Sequence, residues 1–169
     1  MLLLKASRSL LLVQALVLAG CGAQPASRTQ APDLAGAWRV KIQFQSGDFA
    51  AIRDLEFMTV FNPGGTMTES SNYDAAPPVP PAYGIWRARE QGFEARYEFF
   101  VTRPPAAFTD LQAGGGWLPA GRGVLTEEIQ LAADGRSYTS HIRYAAYDSL
   151  GHERAGGGDG EGRGARIEF

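Results

Sequence analysis

The 169-residue chain predicts an all-β domain, eight antiparallel strands that run up and down and close into a barrel. Three observations predict it. Residues 34–45 hold a clean alternation from Trp38 onward: Trp38, Val40, Ile42 and Phe44 share one face, Arg39, Lys41, Gln43 and Gln45 the other. A period of two over eight residues marks a half-buried strand. Seven more strand-like stretches follow, divided by turn signals in a chain with 21 Gly and 10 Pro; that composition favours many short strands over helices. Their connections alternate between tight and long, and in an up-and-down barrel alternate connections lie at opposite ends.

The first 20 residues stand apart from this pattern. Lys5 and Arg8 give a positive start, and residues 10–18 form an apolar run broken only by Gln14. Nine residues are too few to cross a bilayer core of ~30 Å but fit the apolar region of a secretory leader. The run ends Leu18-Ala19-Gly20-Cys21, which resembles the bacterial lipobox. That resemblance implies cleavage after Gly20, acylation of Cys21 and anchoring in the cell envelope. Gly22 stands where an inner-membrane retention signal would show Asp, so in a source with two membranes the resemblance implies the outer one. Cys21 is the only cysteine, which excludes an internal disulfide and a cysteine metal cluster. Loss of Lys5 and Arg8 with the leader leaves 14 basic against 18 acidic side chains. A slightly acidic surface argues against nucleic acid as a partner. Residues 21–33 hold the lipidated Cys and a stretch without periodicity, rich in Ala, Gln and Pro, that reads as a flexible tether; the barrel domain spans 34–169.

The remaining strands are read in order. Residues 55–61 form the second, apolar on both faces except Glu56 and Thr59. Asn62-Pro63-Gly64-Gly65 turns the chain into a short polar third strand, 66–71. Prolines 77, 78, 80 and 81 make 72–81 a loop, because they lack the donors that a ladder needs. The fourth strand, 83–89, centres on Trp86. After Glu90-Gln91-Gly92 comes the fifth, 93–102. A long loop, 103–122, precedes the sixth, 123–132, and Ala133-Asp134-Gly135-Arg136 makes a hairpin to the seventh, 137–147. The glycine tract within 149–162 reads as a loop, leaving 163–169 as the eighth strand. One end of the barrel is therefore expected to carry tight turns and the other four long loops.

Gly36-Ala37-Trp38 resembles the G-x-W that opens the first strand of lipocalins and other calycins, which are eight-stranded barrels. In that family the Trp closes one end and an Arg near the last strand stacks on it; the resemblance implies the pair Trp38 and Arg166. The order of Gly36-Ala37-Trp38, Phe61-Asn62-Pro63-Gly64-Gly65-Thr66, Gly84-Ile85-Trp86 and Asp134-Gly135-Arg136-Ser137-Tyr138 is similar to that of bacterial lipocalin-like lipoproteins. This brings a fold and no activity. The helix that usually follows the barrel in lipocalins has no counterpart here.

The inward set expected to line any ligand is Val40, Ile42, Phe57, Trp86, Tyr97, Phe99, Glu127 and Ile129. Its aromatic content suits a small apolar ligand and equally suits a filled core. Glu127, between Leu125 and Ile129, is turned inward by parity and could orient a ligand or act as a base; a rim position is the blander reading. Trp117 follows three glycines and is either a lid over the mouth or a residue packed outside. His141 and His152, the only histidines, read as solvated surface side chains, and no metal or cofactor is expected. Three roles remain open: a binder of a small apolar ligand, a structural or interaction lipoprotein with a filled barrel, and a barrel cyclase or isomerase resting on Glu127 alone.

Overall fold

The computed structural model describes residues 33–74, 79–107, 109 and 116–169. They form eight strands: β1 (Gly36–Phe44), β2 (Glu56–Phe61), β3 (Thr66–Ser71), β4 (Ala82–Ala88), β5 (Phe93–Arg103), β6 (Leu118–Leu131), β7 (Ser137–Tyr147) and β8 (Glu153–Arg166). Each pairs antiparallel with the next, and β8 returns to β1, closing the barrel in the order of the chain. Closure removes both sheet edges, so no row of backbone donors is left open. Cys21, the tether and the leader lie outside the described residues.

Alternation sets each strand's orientation. Trp38, Val40, Ile42 and Phe44 are buried inside the barrel, and Phe57 and Phe61 on β2 join them across the register Val40↔Phe57 and Gly36↔Phe61. On β7 the inward row is Tyr138, Ser140, Ile142 and Tyr144, all buried. Met58 and Val60, the outward apolar residues of β2, are exposed. The outer face of β2 is thus largely apolar although it meets solvent.

Two expected boundaries are corrected. β6 begins at Leu118 rather than 123, and the fourteen-residue β8 takes in the glycine tract expected to be loop. The connection between β7 and β8 is consequently a tight turn over 148–152. Asp148 makes it: its Oδ1 accepts from the backbone N of Leu150 and of His152, both at 2.9 Å. Those N–H bonds, His152's first, also hold the Asp148 carboxyl below its ordinary range. Three long connections, not four, therefore rise at the open end, after β1, β3 and β5.

The glycine tract is in the sheet because of its own parity. Gly156, Gly158, Gly160, Gly162 and Gly164 occupy the inward positions of β8, and Asp159, Glu161 and Arg163 the outward ones. A bare inner wall lets neighbouring side chains lie flat on it. A Cβ at Gly164 would overlap the Tyr138 ring, and one at Gly162 would overlap Ser140 Oγ.

The closed end is sealed where β1 meets β8. The Arg166 guanidinium lies over the Trp38 ring, 4.3 Å from its centroid. It also donates to the backbone carbonyls of Asp33 (2.6 Å), Ala35 (2.7 Å) and Gly135 (2.7 Å). Trp38 Nε1 donates to Leu34 O at 2.9 Å, and Leu34 is fully buried beneath it. Gly36, at φ 139°, is required here, since a Cβ would sit 2.5 Å from Arg166 Nη1. One cation thereby ties the start of β1, the β6–β7 turn and the end of β8 together.

Trp38→Ala should destabilise the domain by about 3–5 kcal/mol, as deletion of a large core aromatic does. Arg166→Ala should cost about 2 kcal/mol, within the range for charge-assisted hydrogen bonds. A urea double-mutant cycle should return a coupling of about 0.5 kcal/mol or more. Strictly additive losses would show that the stack contributes nothing.

Candidate functional site

The barrel interior has three layers. Aromatic side chains fill the closed end: Trp38 meets Tyr138 edge-on at 4.9 Å, and Trp86 packs between Phe61 at 5.9 Å and Phe93 at 5.8 Å. A second aromatic group stands at the open end. Phe49 folds in from the loop after β1 and meets Phe44 at 5.5 Å and Tyr144 at 4.8 Å; Tyr144 also stacks on Phe99 at 6.2 Å. Between the two lies a polar layer containing two acids.

At the open end is a cavity of about 340 Å³. Phe44, Phe49, Phe57, Phe99, Leu125 and Tyr144 give it apolar walls, and Asp48, Glu69 and Asp74 give it acid groups. Its size meets the ~300 Å³ lower range of ordinary ligand pockets, and so does its lining of apolar walls with a few polar groups. Depth follows from strand direction. β3 runs toward the open end, so Glu69 lies deeper than Ser71. β6 runs away from it, so Glu127 lies one inward position below Leu125. Leu125 and Ser71 line the cavity; Glu69 is its floor, and Glu127 lies just beneath.

Both acids are buried, Glu69 at 6% and Glu127 at 4% exposure. Burial disfavours their charged forms. It is the main cause that raises Glu69 to about 8, with Asp74 and Glu127 adding like-charge repulsion. Burial also raises Glu127 to about 7, opposed by the neighbouring hydroxyls of Ser140 and Tyr97, of which Ser140 Oγ is itself buried without a hydrogen-bond partner. Tyr97 Oη donates to Glu127 Oε2 at 3.3 Å. Burial, with the negative field of Glu127 next, pushes the hydroxyls of Tyr97 and Tyr138 well above their ordinary value. Glu69 Oε1, Glu127 Oε1 and the Tyr138 hydroxyl are buried without a hydrogen-bond partner. Such groups cost about 1–3 kcal/mol each when left unmet. The polar layer is a set of donors and acceptors with capacity to spare.

Of the residues expected to line a ligand, Phe57 and Phe99 do so. Tyr97 and Glu127 sit one layer below. Val40, Ile42 and Ile129 are buried core residues outside the lining of the cavity, and Trp86 belongs to the closed end, where its Nε1 donates to Asn62 O at 3.0 Å. Trp117 is 46% exposed and does not line the cavity. His141 and His152 are exposed, each beside an aspartate, Asp159 at 3.6 Å and Asp148 at 3.2 Å. Among the described residues no group of three His, Cys, Asp or Glu could hold a metal ion.

Glu69 was legible and was passed over. Its strand reads as polar, yet Met67 fixes the inward parity, and Glu69 is two residues on. Tyr138 and Ser140 share the parity of Ile142 in the same way. A second groove, about 570 Å³, crosses the outer wall among Arg87, Glu94, Arg96, Glu128, Arg143 and Asp159. Its charges alternate in sign, as on solvated strand faces, and it offers no enclosed apolar surface.

The acids set a pH dependence. Their folded-state values lie above the ~4.5 of a free glutamate, so the folded chain keeps protons that the unfolded chain gives up. Stability is then full below about pH 4.5 and declines as pH rises through about 7 and 8, the folded values. The thermal midpoint should fall between pH 5 and pH 9. Glu69→Gln and Glu127→Gln should match the parent near pH 5 and exceed it at pH 9. A parent profile flat over that window would contradict the assignment.

Compared with known proteins, the chain matches no family model, no curated protein and no solved structure.

Proposed function

We propose that this protein is a lipid-anchored lipoprotein of the bacterial envelope whose lipocalin-like barrel binds a small, largely apolar ligand. The cavity carries the binding half of this reading: about 340 Å³, at the end where the long connections emerge, with aromatic walls and an acid floor. A filled barrel serving only as a scaffold would have no use for buried acids beneath an open space, because burial of a carboxyl is costly unless something meets it. The leader ending in Leu18-Ala19-Gly20-Cys21 supports the anchoring half.

An enzymatic reading resting on Glu127 has one observation in favour, a proton held to about pH 7, where general acid–base groups work. Glu127 does not line the cavity, however, and a general base must come within reach of the proton it takes. Binding is the better account.

Two measurements test the proposal. Metabolic labelling with fatty acid should mark the parent chain and not Cys21→Ser; equal label on both would remove the anchor. For the ligand, a neutral fluorescent probe such as N-phenyl-1-naphthylamine should bind the parent. Val101→Trp, which places an indole at the cavity wall, should weaken it at least tenfold with the fold intact by circular dichroism. Equal binding by both would show that the probe sits elsewhere.

A further inference from the structure

The charged side chains that line the cavity, among the described residues, have one sign. Asp48, Glu69 and Asp74 line it, and no Lys, Arg or His is among its lining residues. Glu127 adds its field from below. Arg166, inside the barrel at the opposite end, has its N–H groups committed to three backbone carbonyls. Arg154, exposed on β8, is the base whose field reaches Tyr144 at the mouth. The walls meanwhile present aromatic rings, whose faces attract cations. Glu69 Oε1 and Glu127 Oε1 are buried acceptors with no donor to meet them.

We propose that the ligand is an organic amine, an apolar body within the cavity with its protonated amino group directed to Glu69. This rests on the binding function proposed above and adds the sign of the ligand's charge. An ammonium group supplies up to three donors and no acceptor, which is what a floor of unmet carboxyl oxygens lacks. A carboxylate-headed ligand would set a further negative charge among four acids and bring no donor. A neutral alcohol could meet one oxygen but would leave the acid field and the ring faces unused.

A proton balance follows. Seating a cation favours ionised Glu69, so below about pH 8 binding releases a proton from that carboxyl, and affinity rises with pH. The groups that face Glu69 are Asp74 after β3, Glu127 on β6 and Tyr97 on β5; Tyr138 on β7 faces Glu127, and Asp48 and Arg154 stand nearer the mouth, by Tyr144. None of the buried ones is a base, so the direction of the effect is fixed.

The test uses the full chain in nanodiscs of zwitterionic phospholipid, with empty discs as the blank. Calorimetric titration compares 4-phenylbutylamine, 4-phenylbutanol and 4-phenylbutyrate. At pH 8 the amine should bind at least tenfold tighter than the alcohol, and the carboxylate weakest. The amine's affinity should fall at least threefold between pH 8 and pH 6. Glu69→Gln should bring the amine within about twofold of the alcohol. Equal affinities, or tightest binding by 4-phenylbutyrate, would overturn the amine while leaving an apolar ligand in place. A tenfold preference for the amine that survives Glu69→Gln would overturn the role of Glu69. No binding of any of the three above the blank would overturn this inference together with the proposed function. The ranking in the parent chain decides the charge even if the variant does not fold.

Discussion

Everything inside this barrel depends on the seam between its first and last strands. Seven consecutive residues of β1, Trp38 to Phe44, pair with β8 from Arg166 back to Gly160. The two strands bring opposite inner faces to that seam. β1 offers Trp, Val, Ile and Phe; β8 offers glycine at inward positions 158, 160, 162 and 164 above Arg166. Two bulky rows side by side would crowd a narrow eight-stranded interior. With one row bare, Phe44, Ser140 and Tyr138 can lean over β8. The side chains then fill the closed end, and space is left only at the open one. Arg166 fixes the same seam at its base, where cation, indole and three carbonyls meet.

The second consequence is electrostatic. A closed wall keeps water from the middle of the barrel, and two glutamates are placed there from opposite sides, on β3 and β6. Neither has a buried cation beside it. Proton retention is the natural response to such burial, and the charge of Glu127 reinforces it in Glu69. The polar layer is therefore built from acids that hold their protons to about pH 7 at Glu127 and about pH 8 at Glu69. The same property opposes stability at alkaline pH.

Most of the fold was legible because a period of two survives in nearly every strand. Trp38 to Phe44 set the first strand, Tyr138 to Tyr144 the seventh, and the turn chemistry of Asn62-Pro63-Gly64-Gly65 and Asp134-Gly135 placed the hairpins. The eighth strand was misread because glycine usually punctuates loops. Its signal was the alternation of Gly158, Gly160, Gly162 and Gly164 with Asp159, Glu161 and Arg163, a strand pattern written in side-chain size instead of hydropathy. The site was half legible. Glu127 declared itself between two apolar inward neighbours, whereas Glu69 sat in a strand whose only apolar residue, Met67, had to carry the parity alone. The cavity itself was not legible at all. A void is a difference between wall and filling, and Phe49, which reaches into the mouth from a loop, belongs to no periodic pattern.

One carboxyl at the floor of the open cavity and one just beneath it hold their protons well past the ordinary glutamate range. Carbon-13 carboxyl shifts of Glu69 and Glu127, assigned by their Gln variants and followed from pH 3 to pH 10, test this directly. The expected midpoints are about 8 for Glu69 and about 7 for Glu127. Midpoints between about 4 and 5, the range of unperturbed glutamate, would mean that water or a base reaches both groups, and the reading of the cavity built on them would fail.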